Sequence, residues 1–409
     1  MGAVFSAALG ALFFLAASLP LSGQESASSR LEAPRIDSPS AALIDAATGT
    51  TLYLKNGNTP IPPASLTKLM TAHIALWEVE AGRASLDEIV PLPPESWAKN
   101  QPPRSSLMYL EEGQIVSLRE LLLGLAVPSG NDAAVAVALR FSPTVQDFVD
   151  RMNAEARRLG LRETRFVEPS GISEDNWTTA VEFAAFCREY IERHPNSLRD
   201  FHSAPEFAYP LAANVAPPLR SNVRIWRQRN HNALLNLVEG VDGLKTGYID
   251  EAGYNIALTA ARQETRLVAV ILGAPAHGGS RIRDADGERL LNWGFDHFKT
   301  LWPDPPEIPQ ARIWKGALKW AEAVPGEPLP FTALADRGQN LRWEAVLNSP
   351  LVAPLKQGDE LGTLVLSDQE GELRRIPLLA EEDIKQGNIF KRAWDSLGLF
   401  FRGFFGMRR

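Results

Sequence analysis

Ala64-Ser-Leu-Thr-Lys-Leu-Met-Thr-Ala-His-Ile-Ala-Leu-Trp77 is apolar on every side beyond its first turn and contains neither Gly nor Pro. Such a segment predicts a helix buried all round that begins near Ser65, with Pro62-Pro63 punctuating the entry. A helix of that kind needs a thick body around it. At 409 residues the chain exceeds one hydrophobic core, which predicts two folded domains plus terminal segments. Ser65 and Lys68 stand three apart and so share a helical face, where a hydroxyl and an amine come within hydrogen-bond reach. Serine is a weak nucleophile without an adjacent base. An amine kept neutral by apolar surroundings and a second nearby cation is such a base, and Lys245 is the natural second cation.

Two further elements follow in order. Ser129-Gly-Asn131 comes at a turn after an apolar helix, and Lys245-Thr-Gly247 precedes strands. By average residue usage a Ser-x-x-Lys arises about once by chance in a chain this long, and each of the others in roughly one such chain in ten. Singly, each has a plainer reading. Ser65 suits a helix N-cap, Ser129, Asn131 and Asp132 suit caps of the next helix, and Lys245-Thr-Gly suits an ordinary turn. Together they read as a catalytic set. Ser129 supplies a hydroxyl that relays a proton, Asn131 an amide that orients a substrate, and Lys245 with Thr246 a carboxylate site. Gly247 lets a substrate backbone approach a strand edge.

Outward from this set, Ala41-Ala-Leu-Ile-Asp45 and Thr51-Leu-Tyr-Leu-Lys55 flank a Gly-containing turn and predict a hairpin. Apolar spacing near 3.6 predicts helices over 118–127, 133–140, 145–159 and 179–192. Strands return after Gly240, most clearly Asn255-Ile-Ala-Leu-Thr-Ala260 and Arg266-Leu-Val-Ala-Val-Ile-Leu272. The proline-rich Leu301-Trp-Pro-Asp-Pro-Pro-Glu-Ile-Pro309 marks an interdomain connection, and the short alternating runs beyond it predict a small β-rich domain.

Composition narrows the function. A net charge of −7 without a basic stripe in the body excludes nucleic acid as a partner. Cys187, the single cysteine, lies in an apolar helical stretch and reads as a buried small hydrophobe. The six histidines form no ligand-spaced cluster with carboxylates, so no metal and no other cofactor is expected. The first residues are apolar and uncharged and have an export-signal profile, expected to end near residue 23. Gln24 stands where a lipid-bearing Cys would have to be, which excludes lipidation there. At the other end Phe390, Trp394, Leu397, Phe401 and Phe404 alternate at four- and three-residue steps, while Lys391, Arg392, Asp395, Ser396 and Arg402 interrupt them. That pattern predicts an amphipathic helix lying in a membrane surface and not across it.

At Ala64-Ser-Leu-Thr-Lys-Leu-Met-Thr, Pro128-Ser-Gly-Asn-Asp-Ala-Ala, Val241-Asp-Gly-Leu-Lys-Thr-Gly-Tyr and Ala252-Gly-Tyr-Asn the chain resembles the penicillin-interacting serine enzymes, and more closely the low-molecular-mass D-alanyl-D-alanine carboxypeptidases. The resemblance covers nearly the whole chain. It implies an α/β (α+β) penicillin-binding-protein/β-lactamase-like transpeptidase fold over 38–299, a smaller all-β domain over 305–386 and a C-terminal amphipathic helix over 388–409. It implies a periplasmic, membrane-associated enzyme that acts on peptidoglycan stem peptides ending in D-Ala-D-Ala and is acylated by β-lactams. Carried over by position, Ser65 is the acyl-ester nucleophile, Lys68 the general base and Ser129 the proton relay. Asn131, Lys245, Thr246, Gly247 and Tyr248 bind substrate, with the backbone N–H groups of Ser65 and Tyr248 forming the oxyanion hole. Two departures stand out. His231 occupies a place where some relatives have an Arg, and Glu168-Pro-Ser-Gly stands where relatives often have Asn-Pro-x-Gly. Glu168 is read as a loop residue. A D,D-endopeptidase or β-lactamase of the same superfamily, and a non-catalytic cell-wall peptide-binding protein, are the alternatives.

Overall fold

A single 3-10 turn over Ala64–Thr67 leads into helix α1, Lys68–Glu80, in which residues 68–76 are all buried. This computed structural model describes residues 31–304 and 306–406, so the expected signal segment over 1–23 lies outside the described residues. Around α1 pack α2 (Leu118–Ala126), α3 (Asn131–Phe141), α4 (Val145–Arg158) and α5 (Ala180–Arg193). Their starts are written in the sequence. Ser117 and Glu120 form a reciprocal capping box on α2, and Thr144 and Thr179 cap α4 and α5 by accepting from the N–H of Asp147 and Glu182. Cys187 is buried on α5, and burial pushes its thiol pKa up.

These helices cover one face of a five-stranded antiparallel sheet built from β1 (Ser40–Asp45), β2 (Thr51–Lys55), β3 (Val241–Ile249), β4 (Gly253–Arg262) and β5 (Thr265–Ala274) in the order β2-β1-β5-β4-β3. Helix α6 (Ser280–His297) covers the other face, with Leu290 and Leu291 against Leu43, Leu258 and Leu267. Because both faces are covered, β5 reads as an unbroken apolar run and not as an alternating one. The sequence reading corrects in two places. Lys245-Thr-Gly247 lies inside strand β3 and not ahead of the strands. Helix α6 is not among the helices expected from the sequence, and it carries two glycines, Gly287 and Gly294. A Cβ at Gly287 would stand 2.6 Å from Leu258 Cδ1 and one at Gly294 2.7 Å from Leu43 and Leu267, so the glycines are what let the helix settle on the sheet.

After the proline-rich connection, a four-stranded antiparallel sheet (323–325, 371–380, 360–368, 342–347) and a three-stranded one enclose a separate apolar core around Ile313, Leu361, Leu364, Ile376 and Leu378. The chain closes with α7, Ile389–Gly406.

Candidate active site

The nucleophile turn is held from three sides. From β3, Gly247 comes so near that a Cβ there would stand 2.8 Å from Pro63 O and 3.0 Å from Ser65 N. Its role is thus first to admit the turn that carries Ser65, a closer constraint than the substrate approach expected from the sequence. From the loop before α5, Gly171 (φ +84) abuts Ala64, where a Cβ would stand 1.9 Å from Ala64 O. From below, Thr71 Oγ donates to Pro169 O at 2.7 Å. Ala64 itself has φ +51, a strained conformation for a residue with a side chain and one that this packing enforces.

Lys68 is the chemical centre of the arrangement. Its side chain is buried, with Nζ 3.0 Å from Ser65 Oγ, 2.8 Å from Asn131 Oδ1 and 2.5 Å from Ser170 O. The latter two atoms only accept. A neutral amine that donates to both therefore has its lone pair left for the Ser65 hydroxyl, the one partner that carries a proton to give. Burial drives the Lys68 pKa down to about 7, against the pull of the Glu168 and Asp132 carboxylates. Lys245 stands close enough to Lys68 for the two amines to repel each other when both are charged. Lys245 is buried, and its pKa is driven well down by desolvation first and then by the neighbouring Lys68 and Arg283. Lys245 Nζ donates to Thr246 O at 2.9 Å.

The Ser129-Gly-Asn motif bridges α2 and α3, and Asn131 is the first residue of α3. Neither Ser129 nor Asn131 caps that helix. Ser129 has φ +63, and its hydroxyl is buried without a hydrogen-bond partner among the described residues. Asp132, read from sequence only as a cap, proves to be the strut of the site. Its carboxylate accepts from the N–H of Met108, Tyr109, Leu110 and Ala133 at 2.8 to 3.0 Å and so fixes the loop that forms the cleft wall opposite β3. Desolvation raises its pKa.

Two hollows of about 300 and 410 Å³ meet at Ser65 and Tyr248. One runs past Arg104, Ser106 and Asn131 toward Asp250, while the other runs past Ser129, Thr246 and Gly247 toward His231 and Arg283. Tyr248 forms the rim, its hydroxyl donating to Asp250 at 2.7 Å and its ring on Tyr254. Two arginines, Arg104 and Arg283, line the second hollow. His231 stands at its exposed edge, yet crowding by protein and then Lys245, Arg283 and Lys68 lower its pKa to about 4, so the imidazole is neutral at ordinary pH. Arg283, from the unforeseen α6, is almost fully buried beside Asp284. No local pattern announced it, since it belongs to the site only through the packing of α6 on the sheet. All eight residues expected from the sequence thus come together on the nucleophile turn, the start of α3 and strand β3.

Residues 27–276 match the family model described as D-alanyl-D-alanine carboxypeptidase, and residues 304–386 match the penicillin-binding protein 5 C-terminal domain. The chain is 32% identical to the D-alanyl-D-alanine carboxypeptidase DacC of Escherichia coli, over 92% of this chain and 91% of that protein. Among solved structures it is similar to penicillin-binding protein 5 from Haemophilus influenzae, with a TM-score of 0.74 and 28% identity over 87% of this chain and 99% of that one. It is also similar to penicillin-binding protein D2 from Listeria monocytogenes in its cefotaxime-bound form, with a TM-score of 0.55 and 30% identity over 64% of this chain and 98% of that one. With the three motifs gathered at one cleft and both domains matched in order, the chain belongs to the D-alanyl-D-alanine carboxypeptidase family.

Proposed function

We propose that the protein is a serine-type carboxypeptidase that removes the terminal D-alanine from peptidoglycan stem peptides ending in D-Ala-D-Ala, and that β-lactams acylate the same serine. The observation that carries this is the Lys68 amine, whose other two partners can only accept, leaving its lone pair for Ser65. In the reaction Ser65 Oγ attacks the penultimate D-Ala carbonyl as its proton passes to Lys68 Nζ. The N–H groups of Ser65 and Tyr248 hold the oxyanion, an interaction worth about 3 kcal/mol per donor in such reactions. Ser129 passes a proton to the leaving amine, D-alanine departs, and water then cleaves the acyl ester. Asn131 orients the peptide. Lys245 and Thr246 take the terminal carboxylate beside the hollow that Arg104 and Arg283 line.

The division of the chain that fits this reading is an export segment over 1–23, a catalytic domain over 38–299, a β-rich domain over 305–386 and an anchor helix over 388–409. The anchor reading rests on α7, where Phe390, Trp394, Leu397 and Phe401 are at least half exposed on one face; the side chain of Phe404 lies outside the described residues. No described helix is long and apolar enough to cross a membrane. In this reading the enzyme sits on the outer face of the cytoplasmic membrane, in the periplasm, a placement supported by the export-signal profile of its first residues and by the exposed apolar face of α7, whose basic groups would meet anionic headgroups.

Incubation with a labelled penicillin and with a D-Ala-D-Ala peptide, beside Ser65→Ala, tests the activity. Persistent label and D-alanine release by the wild type alone are expected. Rapid penicillin turnover without D-alanine release overturns the reading in favour of a β-lactamase.

A further inference from the structure

Glu168 begins the loop that clamps the nucleophile turn, and its carboxylate is saturated. Oε2 accepts from Ser170 N–H at 2.7 Å and Ser170 Oγ at 2.5 Å, while Oε1 accepts from Gly171 N–H and Asn176 Nδ2 at 2.6 Å each and from Ser173 N–H at 3.4 Å. Asn176 in turn accepts from Val167 N–H at 2.7 Å, so the segment 167–176 is knotted about one side chain. The same segment makes the three contacts that position the reacting groups, namely Ser170 O on Lys68, Pro169 O on Thr71 and Gly171 against Ala64.

We propose that Glu168 is a positioning residue for acylation: it gathers the 168–176 loop so that the Ser170 carbonyl meets the Lys68 amine, and it places a negative charge behind that amine. This goes beyond the loop role read from sequence, and it rests on Lys68 being the base. Its five donors are all uncharged, so nothing in the knot neutralises it. The titratable groups that face Lys68 are Glu168 from this loop, Asp132 from α3, Lys245 from β3 and the neutral His231 from the rim. Of the two carboxylates, Glu168 pulls harder on the amine. Direct activation of water is not its work, because loop donors occupy both oxygens and it does not line the hollow at Ser65, whereas Gly171 and Ile172 do.

The test follows Lys68 itself by nuclear magnetic resonance of lysines labelled at the ε position in the unreacted protein, beside the pH profile of penicillin acylation. In Glu168→Gln, which keeps the size and an acceptor but not the charge, Lys68 is expected to titrate about one pH unit lower. The acid limb of acylation is expected to move down with it, and the plateau rate to fall about tenfold or more as the loop loosens. In Glu168→Asp, which keeps the charge but falls one methylene short of its donors, the titration is expected to stay and only the rate to fall. An unmoved Lys68 titration in Glu168→Gln overturns the proposal, as does a wild-type acylation rate in Glu168→Asp, the variant that decides should Glu168→Gln not fold. A Lys68 titration that moves while the acid limb stays put supports the placement of Glu168 and overturns instead the assignment of Lys68 as the base.

Discussion

Ser129 holds a left-handed backbone and a buried hydroxyl with no partner among the described residues, a combination that costs stability and that a substrate would relieve. Ser129→Ala is expected to melt at or slightly above the wild-type temperature, because the hydroxyl removed makes no bond. Its D-alanine release should fall by about a hundredfold or more, the usual worth of a positioned proton-transfer group. A melting temperature several degrees lower would show that the hydroxyl has a structural partner and is not reserved for chemistry. Lys68 gives the pH dependence. In its proposed role as base its neutral form is the active one, and burial lowers its pKa to about 7, so D-alanine release should fall about tenfold per pH unit below 7, read as kcat/KM in the unbound enzyme. His231 does not produce this limb, because it is already neutral there. Burial depresses Lys68 below its usual 10.5, so between about 7 and 10.5 the unfolded chain binds the extra proton and this residue's contribution to stability rises with pH. Ser65, Lys68 and Lys245 were legible because residue type and spacing together demanded chemistry. Asp132 and Arg283 were not, since a carboxylate beside a cap position and an arginine in a charged helix look alike whether or not the fold aims them at a cleft.

Helix α7 docks by its polar side, the reverse of an ordinary surface helix. Asp395 is buried and accepts from Lys315 N–H at 2.6 Å, and Arg312 stands 4.0 Å from its other oxygen. Gly398, one turn on, lets Trp314 lie against the helix backbone, for a Cβ there would stand 2.9 Å from the indole. The apolar face is left outward. Asp395→Ala should therefore free the helix from the β-rich domain at a cost of about 1–2 kcal/mol while leaving its apolar face intact. The expected result is unchanged flotation with anionic vesicles, and tryptic cleavage after Lys385 or Lys391 about tenfold faster in solution. Unchanged cleavage would mean that the helix is not held there. Deleting the residues after Gln386 should abolish flotation and leave D-alanine release intact, and a truncated protein that still floats removes the anchor assignment. The sequence showed that α7 is amphipathic because periodicity is local. It could not show which face docks, since that depends on where Lys315 and Trp314 arrive from a different strand. The same limit hid strand β3, whose Gly243 and Gly247 dilute the strand pattern for the sake of contacts with other elements.

At the scale of the whole molecule, α7 reaches the catalytic cleft through two joints, α7 to the β-rich domain and that domain to the sheet. The second joint centres on Asp45, the last residue of β1, which is fully buried. Its Oδ2 accepts from Thr300 Oγ at 2.8 Å and Thr332 Oγ at 2.7 Å, and Thr48 and Thr332 lie hydroxyl to hydroxyl at 2.7 Å. Thr300 N–H also donates to Thr265 Oγ at 2.8 Å, so the strand leaving α6 is fastened to β5 as well. Asp45 shares a sheet row with Leu267, Ala260 and Val241, three strand spacings from β3 and four residues short of Lys245, or roughly 20 Å by ordinary sheet dimensions. Asp45→Ala should leave the Thr300 hydroxyl and the Ala47 N–H without their acceptor and cost about 2–4 kcal/mol there, leaving the cleft untouched. Calorimetry is then expected to resolve two transitions where the wild type gives one, and X-ray scattering to show a larger radius of gyration. Release of D-alanine from a short soluble peptide should stay at the wild-type rate, since that substrate needs only the cleft. A single unchanged transition would mean that the domains are coupled elsewhere, and a lost soluble activity would mean that Asp45 supports the sheet under β3 and not the joint.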